Sequence, residues 1–87
     1  MVHVYIVRCA DGSLYVGHAD NVSARIARHN SGRGAAFTAA RRPVRPVYTE
    51  SFPTTEAAVL REQQLKRWSR AKKEALAAGD LALLATL

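Results

Sequence analysis

Glu62 is the acidic side chain whose sequence neighbours are most informative. Ala58 and Val59 lie four and three residues before it, and Leu65 lies three residues after it, so these side chains share one face of a helix. The pattern predicts that Glu62 points along the apolar, inward side, where an unpaired carboxylate is strongly destabilising. Two interpretations stay open: an ion pair with an internal arginine, which helix geometry alone favours, or a ligand for a hard divalent metal ion.

Arg25 and His29 form a second group that could take part in chemistry. They are four residues apart on a predicted helix, so they share a face, and Arg25 also neighbours the apolar Val22 and Ile26. Such a pair could bind a phosphate, because it combines a fixed charge with a group that exchanges a proton near neutral pH. Helices also display such pairs on solvated faces, and that alternative stays open.

Two tyrosines, Tyr5 and Tyr15, flank the dipeptide Asp11-Gly12. Both could point to the same side of a hairpin, although the spacing does not guarantee that they pair directly. Tyrosines on strands usually serve packing. A tyrosine can also transfer a proton where a nearby cation or metal lowers its pKa from about 10.

The strands that would carry these tyrosines follow from the alternation of residue types. Apolar and β-branched residues alternate from Val2 to Val7, and residues 13–17 return after Asp11-Gly12, which favours a tight hairpin turn. Residues 47–52, bounded by Pro46 and Pro53, predict a third strand.

Capping residues and apolar spacing predict the helices. The first is capped by Asp20 or Asn21, and residues 31–46 after it are expected to form a loop. The second helix begins at Thr54 or Thr55 and runs to about residue 68. The third extends from Ser69 to Gly79, and Asp80 then caps a last turn. We expect one α+β domain over residues 1–87, with a three-stranded sheet flanked by helices in the order β-β-α-β-α-α.

The charge balance indicates a polyanionic partner. The 87 residues carry 13 Lys and Arg against 7 Asp and Glu, for a net charge of +6, and ten of the cations are arginines. Basic domains attract nucleic acids, and arginine suits bidentate phosphate contacts, although the charge could serve solubility alone. The candidates for contact with a nucleic-acid backbone are Arg28, Arg33, Arg41, Arg42, Lys66, Arg67 and Arg70.

Other sequence features indicate the compartment and the partners. The single cysteine, Cys9, has no partner for a disulfide, and no signal-peptide pattern or apolar run of membrane-spanning length occurs. We therefore expect a soluble, cytoplasmic protein with no membrane association and no obligate protein partner. The leucine-rich tail, residues 81–87, is expected to complete the small core, with docking to a partner as the alternative.

Several of these residues together resemble a known family. His3-Val4-Tyr5 is followed ten residues later by Tyr15-Val16-Gly17, then by Arg25 and Glu62 on separate helices, which is similar to the GIY-YIG nuclease superfamily. The resemblance covers Val2 to Ala78 and is greatest to the short, single-domain bacterial branch. The first tripeptide departs from the family pattern, because His3 and Val4 replace its glycine and isoleucine.

The resemblance implies roles for five catalytic residues. Glu62 would hold one Mg²⁺ or Mn²⁺ ion, and Arg25 would bind the scissile phosphate. Tyr5 or Tyr15 would take a proton from the attacking water, and His29 would orient or relay that proton. His18, directly after Gly17, could replace or supplement His29, or merely face solvent.

These roles predict a metal-dependent endonuclease acting on DNA. Because the chain carries no second DNA-reading module, we expect it to be directed by nucleic-acid structure rather than by base sequence. The alternative is a module of the same fold that binds nucleic acid with little or no cleavage.

Overall fold

The sheet has three antiparallel strands in the order β2-β1-β3. The computed structural model describes residues 1–87 and places β1 at Val2–Arg8, β2 at Leu14–Ala19 and β3 at Arg45–Phe52. Five helices complete the chain: α1 (Val22–Asn30), α2 (Ala36–Ala39), α3 (Thr55–Lys66), α4 (Arg70–Ala78) and α5 (Leu81–Thr86). The predicted α+β class is confirmed.

The hairpin between β1 and β2 forms where the alternation and the Asp11-Gly12 turn predicted it. Gly12 has a φ of +87°, a conformation that glycine adopts without strain. Tyr5 pairs with Gly17, and Val7 pairs with Tyr15. Cross-strand partners and residues two apart share a face, so both tyrosines project from the same side of the sheet.

Each face of the sheet is covered by a separate apolar cluster. Alternate residues of β1, such as Val4 and Ile6, pack with Leu65 of α3 and Leu76 of α4. The opposite face carries Tyr5, Val7, Cys9, Ala19 and Val44, against which Val22 and Ile26 of α1 pack. Because β2 is an edge strand, groups from both faces can meet along it.

The observed capping residues show which of the predicted helix starts are correct. The side chain of Asn21, rather than Asp20, accepts a hydrogen bond from the first turn of α1, and Thr54 does the same for α3. Ser69 caps α4, and Gly79 ends it in the left-handed conformation, as predicted.

The segment predicted as a loop contains an additional helix, α2. Its N-cap position is Ala35, which makes no side-chain capping bond, so no capping residue indicated a helix start here. The Asn30 side chain holds the segment by bonding both the N–H and the C=O of Val44. Three boundaries also differ from prediction: β2 ends at Ala19 rather than residue 17, β3 begins at Arg45 rather than residue 47, and α3 ends at Lys66 rather than near residue 68.

The leucine-rich tail contributes little to the core. Leu84 packs against it, but Leu81, Leu83 and Leu87 are 69%, 47% and 45% exposed. The expectation that this tail completes the core is therefore wrong for most of its leucines, because the short helix α5 turns only one residue inward. None of the helices has both the length and the apolarity that crossing a membrane requires.

Candidate active site

A cleft of about 400 Å³ opens along the edge strand β2. Side chains from both faces of the sheet, from α1 and α3, and from the chain just before α2 line it. All five residues predicted to be catalytic lie in this cleft: Tyr5, Tyr15, Arg25, His29 and Glu62. Six more residues complete its lining: Gly17, His18, Arg28, Arg33, Gly34 and Ala35.

Tyr5, His29 and Thr38 form a buried chain of hydrogen bonds at the base of the cleft. Their exposed fractions are 1%, 2% and 0%. The Tyr5 hydroxyl lies 2.8 Å from Nε2 of His29, and Nδ1 of His29 lies 2.8 Å from Oγ1 of Thr38. The Thr38 hydroxyl donates to the backbone carbonyl of Ala35 at 2.9 Å. Each polar group in this chain therefore has a partner.

Burial keeps both members of the Tyr5–His29 pair neutral. Burial, and next the nearby Tyr15, raise the pKa of Tyr5 to about 12. Burial also lowers the pKa of His29, and the charges of Arg25 and Arg28 lower it further. At neutral pH the pair is thus a phenol beside an uncharged imidazole.

Two glycines make room for this pair. A Cβ atom at Gly17 would lie 2.5 Å from the Tyr5 hydroxyl oxygen and 2.7 Å from its Cζ. A Cβ at Gly34 would overlap the Nδ1 edge of the His29 ring. Both glycines are needed for close approach, and neither has a positive φ.

Tyr15 has different surroundings from Tyr5. Its half-buried ring meets the His29 ring edge-on, with centroids 5.4 Å apart, and stacks on Phe37 at 5.9 Å. The guanidinium of Arg41 also lies over the Phe37 ring, 3.9 Å from its centroid. Phe37 itself is 39% exposed, so an aromatic surface lies beside the cleft.

Glu62 is ionised and tightly held, with a side chain only 14% exposed. One carboxylate oxygen bonds Nδ1 of His18, and the other lies 2.8 Å from Nζ of Lys66. Burial by itself raises the pKa of Glu62, but hydrogen bonds from Lys66 and His18 outweigh it and leave the pKa below its usual value. The ion pair with an internal arginine that geometry alone favoured is therefore wrong, since the partners are a lysine and a histidine. His18 does not merely face solvent, because it bonds Glu62.

Arg25 places a positive charge in the lining of the cleft. It is half-buried, and its Nη1 donates to the backbone carbonyl of His18 at 3.2 Å. No carboxylate pairs with it. Arg28 and Arg33 are exposed at the cleft, where Nε of Arg28 donates to the backbone carbonyl of Arg33. Three arginines facing one opening favour an anionic ligand.

The other predicted backbone contacts lie outside the lining of the cleft. Arg41 pairs with Asp11 at 3.1 Å, and Arg42 donates to the backbone carbonyl of Ala39. Arg70 donates to the backbone carbonyl of Gly12. Arg67 is exposed. Lys66 forms an ion pair with Glu62. Of the seven candidates, only Arg28 and Arg33 line the cleft.

The donor groups in the cleft fit one type of metal site. Glu62 supplies the only carboxylate of the lining, with the imidazole of His18 beside it. Nowhere in the chain do three or more His, Cys, Asp or Glu side chains come together. Mg²⁺ commonly keeps several waters and binds through one or two carboxylates, so this set fits a largely hydrated ion rather than a protein cage.

Three features of this site were not identified in the sequence. Thr38 and Phe37 lie in the segment interpreted as a loop, and nothing in the spacing connected them to His29 or Tyr15. Gly34 lies in the same segment, where nothing indicated its close contact with the His29 ring. A glycine and a threonine following a histidine-bearing helix are too common to signal a contact that depends on how the chain folds back.

Comparisons with known proteins agree with the geometry. The model of the GIY-YIG catalytic domain family matches residues 1–75. A UPF0213 protein of Staphylococcus aureus is 51% identical over 70 residues, covering 80% of this chain and 85% of the relative. For a UPF0213 protein of Staphylococcus saprophyticus, the identity is 51% over 71 residues, covering 82% and 87%. The solution NMR structure of a UPF0213 protein from Bacillus halodurans has a TM-score of 0.57 and 46% identity, covering 90% of this chain and 84% of that chain. The chain belongs to the GIY-YIG catalytic domain family.

Proposed function

We propose that this protein is a metal-dependent endonuclease that hydrolyses phosphodiester bonds of DNA in the cleft along β2. Membership of the GIY-YIG family supports a nuclease-type function. The observation that carries the proposal is the meeting of the Tyr5–His29 pair, Arg25 and Glu62 in one opening. These groups supply a proton acceptor, a phosphate-binding cation and a metal-binding carboxylate.

The arginines give the cleft its affinity for a phosphate. Arg25 has no carboxylate partner, so its charge is available to the scissile phosphate and to the charge that develops on it. Arg28 and Arg33, exposed at the same opening, would bind neighbouring phosphates.

Tyr5 is the better candidate for the general base. Its hydroxyl lies 2.8 Å from Nε2 of a neutral imidazole, so it can pass its own proton to His29 as it accepts one from water. The water oxygen then forms the new bond to phosphorus, and the bond from phosphorus to the leaving oxygen breaks. His29 ends as an imidazolium. Tyr15 stacks on Phe37 and has no comparable contact, which suits it to positioning.

Glu62 is proposed to hold the metal ion, Mg²⁺ or Mn²⁺, with His18 beside it. Such an ion would neutralise charge on the phosphate and on the leaving oxygen. Both carboxylate oxygens are bonded in the structure, to His18 and to Lys66. Each oxygen keeps a second lone pair that can bind a cation, although the positive charge of Lys66 beside it opposes a metal ion.

We propose that DNA structure, rather than base sequence, directs the protein. The polar groups of the cleft suit the sugar–phosphate backbone, which carries no sequence information directly. Phe37 is an exposed aromatic ring beside the cleft, and an unpaired base of any identity could stack on it in place of the Arg41 guanidinium that lies over the ring. Branched or single-stranded regions would supply such bases.

The test is cleavage of labelled duplex, single-stranded and branched DNA by the purified protein with Mg²⁺, Mn²⁺ or a chelator. We expect cleavage only with metal, and losses on the order of 100-fold or more in Glu62→Gln and Arg25→Gln. Arg45→Gln is the control, because it removes one exposed charge outside the cleft. Cleavage that survives both the chelator and Glu62→Gln would contradict the proposal.

The same assay covers a second candidate, a nucleic-acid-binding module without cleavage. The observation that favours it is that His18 and Lys66 occupy both oxygens of Glu62. Salt-sensitive binding of the same DNAs, with no cuts under any metal, would establish the module in place of the enzyme.

A further inference from the structure

Thr38 is a fully buried polar side chain that the proposed chemistry does not use directly. It lies on α2, in the segment between α1 and β3, and its Oγ1 meets the ring of His29 on the side away from Tyr5. We propose that Thr38 is a positioning residue that fixes the tautomer of His29 and so makes Nε2 the acceptor of the Tyr5 proton. The inference rests on the proposed function for its catalytic meaning.

The direction of each hydrogen bond follows from counting hydrogens. The Ala35 carbonyl oxygen, which also accepts from the N–H groups of Thr38 and Ala39, lies 2.9 Å from Thr38 Oγ1; two oxygens this close need a hydrogen between them, and only the Thr38 hydroxyl can supply it. The contact between Thr38 Oγ1 and His29 Nδ1, at 2.8 Å, then needs its hydrogen from the ring. Nδ1 of His29 is therefore protonated.

The protonation state of Nε2, the other ring nitrogen of His29, follows from this. A neutral imidazole has one N–H, so Nε2 of His29 carries a lone pair. The Tyr5 hydroxyl, 2.8 Å from Nε2, must be the donor in that bond. With its hydrogen directed inward, the Tyr5 oxygen has its lone pairs toward the cleft, where Arg25 is placed to donate to one of them and the other can accept an arriving proton.

Close packing keeps the ring in this orientation. Gly34 lies against the Nδ1 and Cε1 edge of His29, closer than any side chain with a Cβ would permit. The Tyr5 ring meets the imidazole edge-on, with centroids 5.9 Å apart. Replacing the Thr38 hydroxyl with a methyl group would leave Nδ1–H without an acceptor in a buried position. The Nε2–H tautomer would then be favoured, and it cannot accept from Tyr5.

The tautomer can be measured without any cleavage assay. Long-range ¹H–¹⁵N correlation spectra of histidine-labelled protein distinguish a protonated Nδ1 from a protonated Nε2, and His29→Gln identifies the His29 signals. We expect the Nδ1–H pattern in the wild type and in Thr38→Ser, which keeps the hydroxyl. In Thr38→Val, which has the same shape without the hydroxyl, the Nε2–H form should appear. A wild-type His29 in the Nε2–H form, or an unchanged pattern in Thr38→Val, would overturn the inference.

The catalytic consequence is measured separately. Thr38→Val should lower the single-turnover cleavage rate on the order of 10- to 100-fold with little change in DNA affinity, whereas Thr38→Ser should stay within about threefold. If the wild type does not cleave, the proposed function fails, but the spectra still decide the tautomer. If Thr38→Val does not fold, the wild-type spectrum alone decides it.

Discussion

At the scale of single residues, the two tyrosines of the cleft have different surroundings, although their positions in the sequence did not distinguish their roles. Tyr5 is buried beside a neutral histidine, while Tyr15 is half-buried between His29 and Phe37. Burial raises the pKa of Tyr5 to about 12, so it is an uncharged phenol at neutral pH, which suits the proposed proton relay with His29 rather than a standing phenolate. The spacing of the two tyrosines left open which is the base, because the difference arises from contacts with α1 and α2.

Removing each hydroxyl tests this difference. Tyr5→Phe should lower the single-turnover cleavage rate on the order of 100-fold or more, because the relay to His29 is lost. Tyr15→Phe keeps the stacked ring and should have a much smaller effect. The matched pair changes one oxygen atom each. A larger loss in Tyr15→Phe would assign the base to the other tyrosine.

His29 gives the protein a pH-dependent stability in mildly acidic solution. Its pKa in the folded state lies below the ordinary value of 6.5, chiefly because of burial, so the unfolded chain binds the proton first. The contribution to stability is thus complete above about pH 6.5 and is lost as the pH falls through the folded-state pKa.

We therefore expect the free energy of unfolding to decrease from pH 6.5 to 5, by at most about 1.4 kcal/mol per pH unit from this group. Denaturant titrations at several pH values measure it. The lowered pKa values of Glu62 and Glu74 act below about pH 4.5 and leave this window clear. His29→Gln should flatten the profile, and an equally steep profile in that variant would contradict the assignment.

At the scale of elements, the edge strand β2 places the cleft where the two faces of the sheet meet. Tyr15 and Gly17 face the cluster around Tyr5, while His18, the residue after Gly17, turns to the other face and meets Glu62 of α3. Alternation along one strand thus brings the proton-transfer pair and the carboxylate to one opening.

Gly17 tests how closely the strand must approach Tyr5. We expect Gly17→Ala to cost about 1–3 kcal/mol of stability, because its Cβ would overlap the Tyr5 ring. Denaturant unfolding of Gly17→Ala, Tyr5→Ala and the double variant forms a thermodynamic cycle. The alanine should cost clearly less once the ring is gone, whereas equal costs in both backgrounds would show that the ring is not the obstacle.

The elements with strong local signals were predictable from sequence, and the contacts between them were not. The hairpin followed from Asp11-Gly12, and α4 followed from Ser69 and Gly79 at its ends. The short helix α2 was missed because Ala35 offers no cap. Thr38 becomes important only when this helix packs on His29.

The family resemblance predicted which side chains meet in the site, whereas the spacing of residues along the sequence did not. The spacing of Glu62 correctly indicated an inward carboxylate, yet it suggested an arginine partner. The actual partners depend on register: His18 lies on the strand position opposite Val4, on the face that α3 covers. Long-range placement of this kind is not encoded in local periodicity.

At the scale of the whole molecule, the charge of +6 is spread widely, but only some of it faces the cleft. Arg8 and Arg61 pair with Glu74 and Glu50, respectively, and neither lines the cleft. Arg28 and Arg33 lie exposed at the opening. Long-range attraction of a polyanion would therefore come from the entire surface, while the proposed phosphate contacts are local to the cleft.

The salt dependence of DNA binding separates these contributions. Each phosphate contact adds about 0.9 to the slope of log affinity against log salt concentration. Replacing both Arg28 and Arg33 with glutamine should reduce that slope by up to about 2, whereas Arg45→Gln should barely change it. Fluorescence anisotropy with a labelled duplex measures both. Equal reductions would mean that the cleft is not the binding surface.

The proposed metal-dependent hydrolysis depends most on a divalent cation reaching Glu62 inside the cleft. Mn²⁺ broadens the NMR signals of nuclei near its binding site, so substoichiometric Mn²⁺ added to ¹⁵N-labelled protein locates that site directly. We predict that the amide signals of His18 and Glu62 broaden first, that Leu83 in α5 is spared, and that Glu62→Gln abolishes the selectivity. Selective broadening elsewhere, or the same broadening in Glu62→Gln, would contradict the account.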